Sequence, residues 1–114
     1  MALKQQTDFS SFLALDIRLG KIIKVEESLA KKPTYKITVD FGSEIGQKVT
    51  IGAYKHYAPD QLNGLLVLGI MNVGTRKMGP EISEFLLLGI PNDSGEAIPL
   101  TVFRPDAQIG GEVF

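Results

Sequence analysis

Tyr35-Lys36-Ile37-Thr38-Val39-Asp40-Phe41 alternates without a break, with Tyr35, Ile37, Val39 and Phe41 on one side and Lys36, Thr38 and Asp40 on the other. Successive side chains of an extended chain point to opposite faces, so this pattern predicts a strand with one face in a core and the other in water. On its N-terminal side, Ile17 to Glu27 predicts a longer strand, and Gly20 within it suits a bulge or tight bend that lets a long strand curl. Before that, Asp8 to Ala14 predicts a short helical turn capped by Asp8. On the C-terminal side, Lys48 to Ala53 predicts a third strand, followed by YAPDQLNG, where Pro59 suits the first turn of a helix and Gly64 its stop. Leu65 to Met71 and Glu84 to Ile90 supply two more strands. Ile98 to Phe103 and Ile109 to Phe114 read as short extended segments beyond them.

Strand, strand, strand, helix, strand, strand is the order of an oligonucleotide-binding (OB) fold. The expected architecture is therefore all-β: a five-stranded Greek-key barrel with a short helix between strands three and four and a C-terminal extension. No repeat, low-complexity tract or linker divides the chain, so residues 1–114 are expected to form one domain. LLVLGIM and FLLLGI are apolar at consecutive positions, although a small closed barrel hides only its inward face. Their outer face needs a cover, supplied by the C-terminal segment or by a second subunit, and a homodimer is expected.

Among the 114 residues, 44% are hydrophobic and none is cysteine, which excludes disulfides, thiolate metal sites and thiol nucleophiles. His56 is the single histidine, and no bound metal or other cofactor is expected. The N-terminus lacks the long apolar run of a secretory signal and no segment approaches a membrane span, so a soluble, cytoplasmic protein without membrane contact is expected. The net charge of −1 conceals an asymmetry: through Lys77 the chain holds 11 Lys and Arg against 7 Asp and Glu, and after it 1 against 6. On charge alone an ordinary mixed surface is the better reading.

Four blocks carry a family resemblance. Asp8-Phe9 with LDIRLGKIIKVE, then Tyr54-Lys55-His56-Tyr57 running into Ala58-Pro59-Asp60-Gln61-Leu62-Asn63-Gly64, then Asn72-Val73-Gly74-Thr75-Arg76-Lys77-Met78, then Ser83-Glu84-Phe85-Leu86-Leu87-Leu88-Gly89, follow one another in an order and spacing similar to the tRNA-binding domain family. Asp40 to Lys48 (DFGSEIGQK) and Ser83-Glu84 resemble its CsaA-type, export-related chaperone branch. The resemblance implies a binding protein without a catalytic centre.

The basic pair Arg76-Lys77, on a loop between two apolar strands, is the first candidate for gripping phosphate, with Asn72 bonding to a sugar or base and Ser83 donating its hydroxyl to the same phosphate. Lys21 extends the candidate RNA-binding set. Tyr54, Tyr57, Met78 and Phe85 are candidates for contact with a base or peptide, although one of the two tyrosines is expected to pack the helix onto the barrel. The close carboxylates Glu26-Glu27, and Glu81 with Glu84, lack the spacing of a calcium loop. The leading expectation is recognition of tRNA by a dimer of barrels. The alternative is a chaperone holding unfolded preproteins, or meeting export machinery, through apolar grooves, favoured by the near-neutral charge, Glu84 and the surplus apolar surface. No acid, base and nucleophile set suggests an enzyme.

Overall fold

The computed structural model of the chain describes residues 2–114. Its centre is a sheet formed by β1 (Ile17–Glu27), β2 (Tyr35–Asp40), β3 (Gln47–Gly52), β4 (Leu66–Ile70) and β7 (Leu86–Leu87) in the order β3-β2-β1-β4-β7. The helix α2 (Pro59–Leu62) stands between β3 and β4, as expected, and inserts Leu62 into the core. Between β4 and β7 lies a hairpin of β5 (Arg76–Met78) and β6 (Glu81–Ser83), while β8 (Gly89–Pro91) and β9 (Ala97–Pro99) form a second hairpin. A short helix, α1 (Phe9–Leu13), precedes the barrel.

β1 is long because it serves two partners. Its first half pairs with β4 from Ile17 to Lys21, and its second half pairs with β2 from Lys21 to Glu27. The register slips between Ile22 and Lys24, so the irregularity falls beyond the expected bend at Gly20. Gly20 instead makes room for the core, since a Cβ there would collide with Val39 Cγ1 and stand 2.8 Å from the Phe41 ring. Gly69 on β4 makes the same allowance for Phe85, and the two phenyl rings meet edge to face at 5.1 Å. Around this pair, Ile22, Ile37, Val39, Tyr54, Leu62 and Val67 complete the core.

The wall between β3 and β7 is joined differently from the others. Glu84 N donates to Val49 O at 2.7 Å, the Glu84 carboxylate accepts from Val49 N at 2.9 Å, and Ser83 Oγ accepts from Ile51 N at 3.3 Å. Side-chain oxygens thus replace ladder acceptors, and the barrel closes along a seam instead of a continuous strand pair.

Several expected boundaries are corrected. The single strand from Glu84 to Ile90 is two short ones, because Leu88 changes partner: its N–H bonds to Leu68 O and its carbonyl accepts from Leu100 N. The loop expected at Arg76-Lys77 is the first strand of a hairpin. Asp8 occupies the N-cap position of α1, but its carboxylate makes no capping bond. Of the two expected covers, the C-terminal segment supplies part of one. Gly110, Gly111 and Val113 exchange backbone bonds with Leu19 and Ile17 along the stretch of β1 that lacks β2. Ile17, Leu19 and Ile70 are buried there, outside the main core. Phe9, Leu13, Phe103 and Phe114 remain exposed.

Candidate functional site

Two turns at one end of the barrel meet, the first carrying one basic pair and the second closing the hairpin whose first strand carries another. The first joins β1 to β2 over residues 28–34 and carries Lys31 and Lys32. It is held by short-range bonds: Ala30 N to Ser28 Oγ at 3.1 Å, Ser28 N to Thr34 O at 3.3 Å, and Thr34 Oγ1 to Lys32 O at 3.2 Å. The second is Gly79-Pro80, which closes the β5–β6 hairpin. Gly79 takes a φ of 62°, a conformation glycine adopts without steric penalty.

Glu81 docks one turn on the other. Its carboxylate accepts from Leu29 N at 3.3 Å and lies 4.0 Å from Lys36 Nζ, so it spans from the hairpin to both β2 and the first turn. The tips then touch: a Cβ on Gly79 would be 3.5 Å from Ala30 Cα. Ala30, Lys31, Lys32, Met78 and Gly79 enclose a mainly apolar cleft of about 240 Å³.

The charges here are open to a ligand. Arg18, Lys24, Lys36, Lys55 and Arg104 each have a carboxylate within ion-pair distance. Lys31, Lys32, Arg76 and Lys77 are exposed, and among the described residues no ion pair involves them. The carboxylates nearest in sequence are occupied, Glu81 as above and Glu84 on Val49 N. Glu27 pairs with Lys55, whose Nζ also stands 5.1 Å from the centre of the Tyr35 ring. Among the described residues no cluster of three or more potential metal ligands occurs.

The residues singled out from the sequence divide. Arg76, Lys77 and Met78 lie together on β5, the first two exposed and Met78 half-buried over the cleft. Lys21 is exposed on β1, six residues from the end where the strand enters the first turn, on the order of 20 Å away at strand rise. Asn72 is committed elsewhere: its Oδ1 accepts from Asp16 N and its Nδ2 donates to Ala14 O, both at 2.8 Å, which ties the end of β4 to the chain entering β1. Ser83 is a correction. It is 1% exposed and its hydroxyl is shared among Thr50 Oγ1, Phe85 O and Ile51 N, so no phosphate reaches it. Phe85 and Tyr54 are likewise core residues, each needed to fill the barrel, and neither offers a ring to a ligand. Burial pushes the Tyr54 phenol above its ordinary value of 10.0, with Tyr57 adding to the shift. Tyr57 is half-buried; its carbonyl accepts from Tyr35 OH at 2.8 Å and its ring lies 4.4 Å from that of His56. Lys31 and Lys32 were missed as site residues, although two adjacent lysines before Pro33 were a visible signal.

Residues 17–112 match the family model described as "Putative tRNA binding domain". The methionine–tRNA ligase of Thermococcus kodakarensis is 32% identical over 109 residues, covering 96% of this chain; the chain spans only 14% of that enzyme's length. Among solved structures, the CsaA chaperone protein from Picrophilus torridus is 28% identical with a TM-score of 0.87, covering 96% of this chain and 100% of that one. The chaperone CsaA from Bacillus anthracis is 27% identical with a TM-score of 0.84 over the same shares. The fold is thus the OB-like barrel of these proteins.

Proposed function

The chain belongs to the family of tRNA-binding domains, whose model covers residues 17–112, and on that premise we propose that it is a non-catalytic module that holds tRNA across its two docked turns. The supporting observation is that Lys31 and Lys32 on one turn adjoin the hairpin carrying Arg76 and Lys77, all four without a carboxylate partner among the described residues. Phosphate contacts dominate nucleic-acid affinity, and a cation already spent on a carboxylate must give it up before it can serve. Lys21 is far enough along β1 to meet a different stretch of RNA backbone. A tRNA ligand implies a protein that works in the cytoplasm.

Binding of total tRNA should weaken as salt rises, with a log–log slope of about −0.7 to −0.9 per phosphate contacted. Changing Arg76 and Lys77 together to alanine should reduce that slope by about 2 and weaken binding to all tRNA species alike. Titration of both proteins between low and moderate salt tests this. Unchanged affinity in the double variant, with no salt dependence, would remove the site.

A second reading has its own observation. Leu19, Leu68, Val102, Val113 and Phe114 line a groove of about 410 Å³, and Phe9, Leu13, Phe103 and Phe114 stand exposed. Such surface suits a homodimer, and a dimer framing apolar grooves would hold unfolded preprotein segments or meet export machinery. Suppression of client aggregation at stoichiometric ratio is its test. No suppression alongside tight tRNA binding leaves the first reading alone.

A further inference from the structure

We propose that Asn63 is a site of spontaneous deamidation which the closed barrel suppresses, so that its conversion records how often the link between α2 and β4 lets go of β1. Asn63-Gly64 is the one Asn-Gly pair in the chain; Asn72 is followed by Val73 and Asn92 by Asp93. A glycine after asparagine leaves its backbone nitrogen unshielded by a Cβ, and at Gly64 nothing lies within 4 Å of where a Cβ would stand. Both residues are exposed, so water reaches the pair. The reaction needs only water. Gly64 N gives up its proton and bonds to Asn63 Cγ, the Cγ–Nδ2 bond breaks, and ammonia leaves carrying that proton. Water then opens the five-membered imide at one of its two carbonyls, which yields aspartate or isoaspartate with no change of oxidation state.

The fold withholds the attacking nitrogen in two ways. Leu62 to Leu65 form a tight turn closed by Leu65 N, which donates to Leu62 O at 3.1 Å. Asn63 at φ −62° and ψ 128°, followed by Gly64 at φ 92°, makes it a type II turn. The imide ring needs Asn63 Cβ and Gly64 N on the same side of the Cα–C bond, a conformation with strongly negative ψ, so the turn holds the reacting atoms apart. In addition, Gly64 N donates to Ile22 O at 2.8 Å while Ile22 N donates to Leu65 O at 2.9 Å. These two bonds prolong the β1–β4 ladder beyond Lys21 and Leu66, beside the place where β1 slips register against β2. Leu62, on the other side of the turn, is fixed in the core. Cyclisation therefore waits for local opening of the turn. Its products do not fit back: the imide nitrogen has no proton for Ile22 O, and isoaspartate lengthens the link from Leu62 to Leu65 by a methylene. The amides of Asn72 and Asn92 are both engaged in hydrogen bonds, which makes these residues internal references.

The test incubates the full chain at mildly alkaline pH, folded and in urea, and follows conversion by mass spectrometry of the tryptic peptide from His56 to Arg76, which holds both Asn63 and Asn72. In urea Asn63 should convert ahead of Asn72. In the folded chain it should convert at least about tenfold more slowly, because two ordinary hydrogen bonds must first be broken. Hydrogen exchange at the Gly64 amide of the same sample reports how often that nitrogen is released, and the slowing of deamidation should be at least as large as the protection of this amide. The isoaspartate fraction, isolated by ion exchange, should show faster exchange at the Ile22 amide than Asn63→Asp, which introduces the same charge without the extra methylene. Equal conversion in the folded and unfolded chain, or none in urea, overturns the proposal. So does a slowing smaller than the Gly64 protection, or an isoaspartate chain whose Ile22 amide exchanges at the Asn63→Asp rate.

Discussion

A hydroxyl inside a barrel has no water to bond, so Thr50 and Ser83 must serve each other and the backbone around them. They lie 3.1 Å apart, and between them satisfy Phe85 O and Ile51 N. Ser83→Ala should leave the Ile51 amide without its acceptor and cost about 1–3 kcal/mol in urea unfolding. The folded variant should keep the affinity and salt slope for tRNA unchanged, a result that a phosphate-binding serine would not give. Tyr54 tests the core differently. A phenol whose pKa is raised in the folded state holds its proton more tightly there, so its contribution is complete below 10.0 and is lost as pH climbs through the folded value. Stability should therefore decline above about pH 10, and Tyr54→Phe should flatten that decline, as followed by thermal unfolding across alkaline buffers.

Among the elements, β1, β2 and β3 were legible because each is long enough to show its period, and the clean alternation of Tyr35 to Phe41 reflects a strand with one face in the core. The β5–β6 hairpin was not legible. Each of its strands has three residues, and TRKMGPEIS has no apolar alternation to read. What places it is Glu81 reaching Leu29 N, a contact between residues 52 positions apart. For the same reason Arg76-Lys77 was visible as a cationic pair, but the docking of its hairpin on the turn that carries Lys31-Lys32 was not. Asn72 invited a ligand role because an amide both donates and accepts; only the fold shows one of its donors engaged by Ala14 O and its oxygen engaged by Asp16 N. Glu84 is the inverse case, read as free charge and found closing the wall against β3. Glu84→Ala should speed hydrogen exchange at the Val49 amide by about fivefold, equivalent to one ordinary hydrogen bond, while Glu84→Gln retains an acceptor and should exchange at close to the original rate.

For the whole molecule, the apolar surface left over by the fold is what the proposed dimer would cover. α1 has five residues and buries none of them against its own barrel. Changing Phe9 and Leu13 together to serine should convert a dimer into a monomer on size-exclusion with light scattering, and leave the barrel's unfolding cooperative. A unit already monomeric before the change would remove the dimer. A helix this short has too few internal bonds to repay its nucleation in water. In the proposed dimer its order would then be a matter of supply: where copies were scarce the segment would unwind and open to proteases, and as copies accumulated it would wind up, so the amount of protein made would determine how much of each molecule is finished.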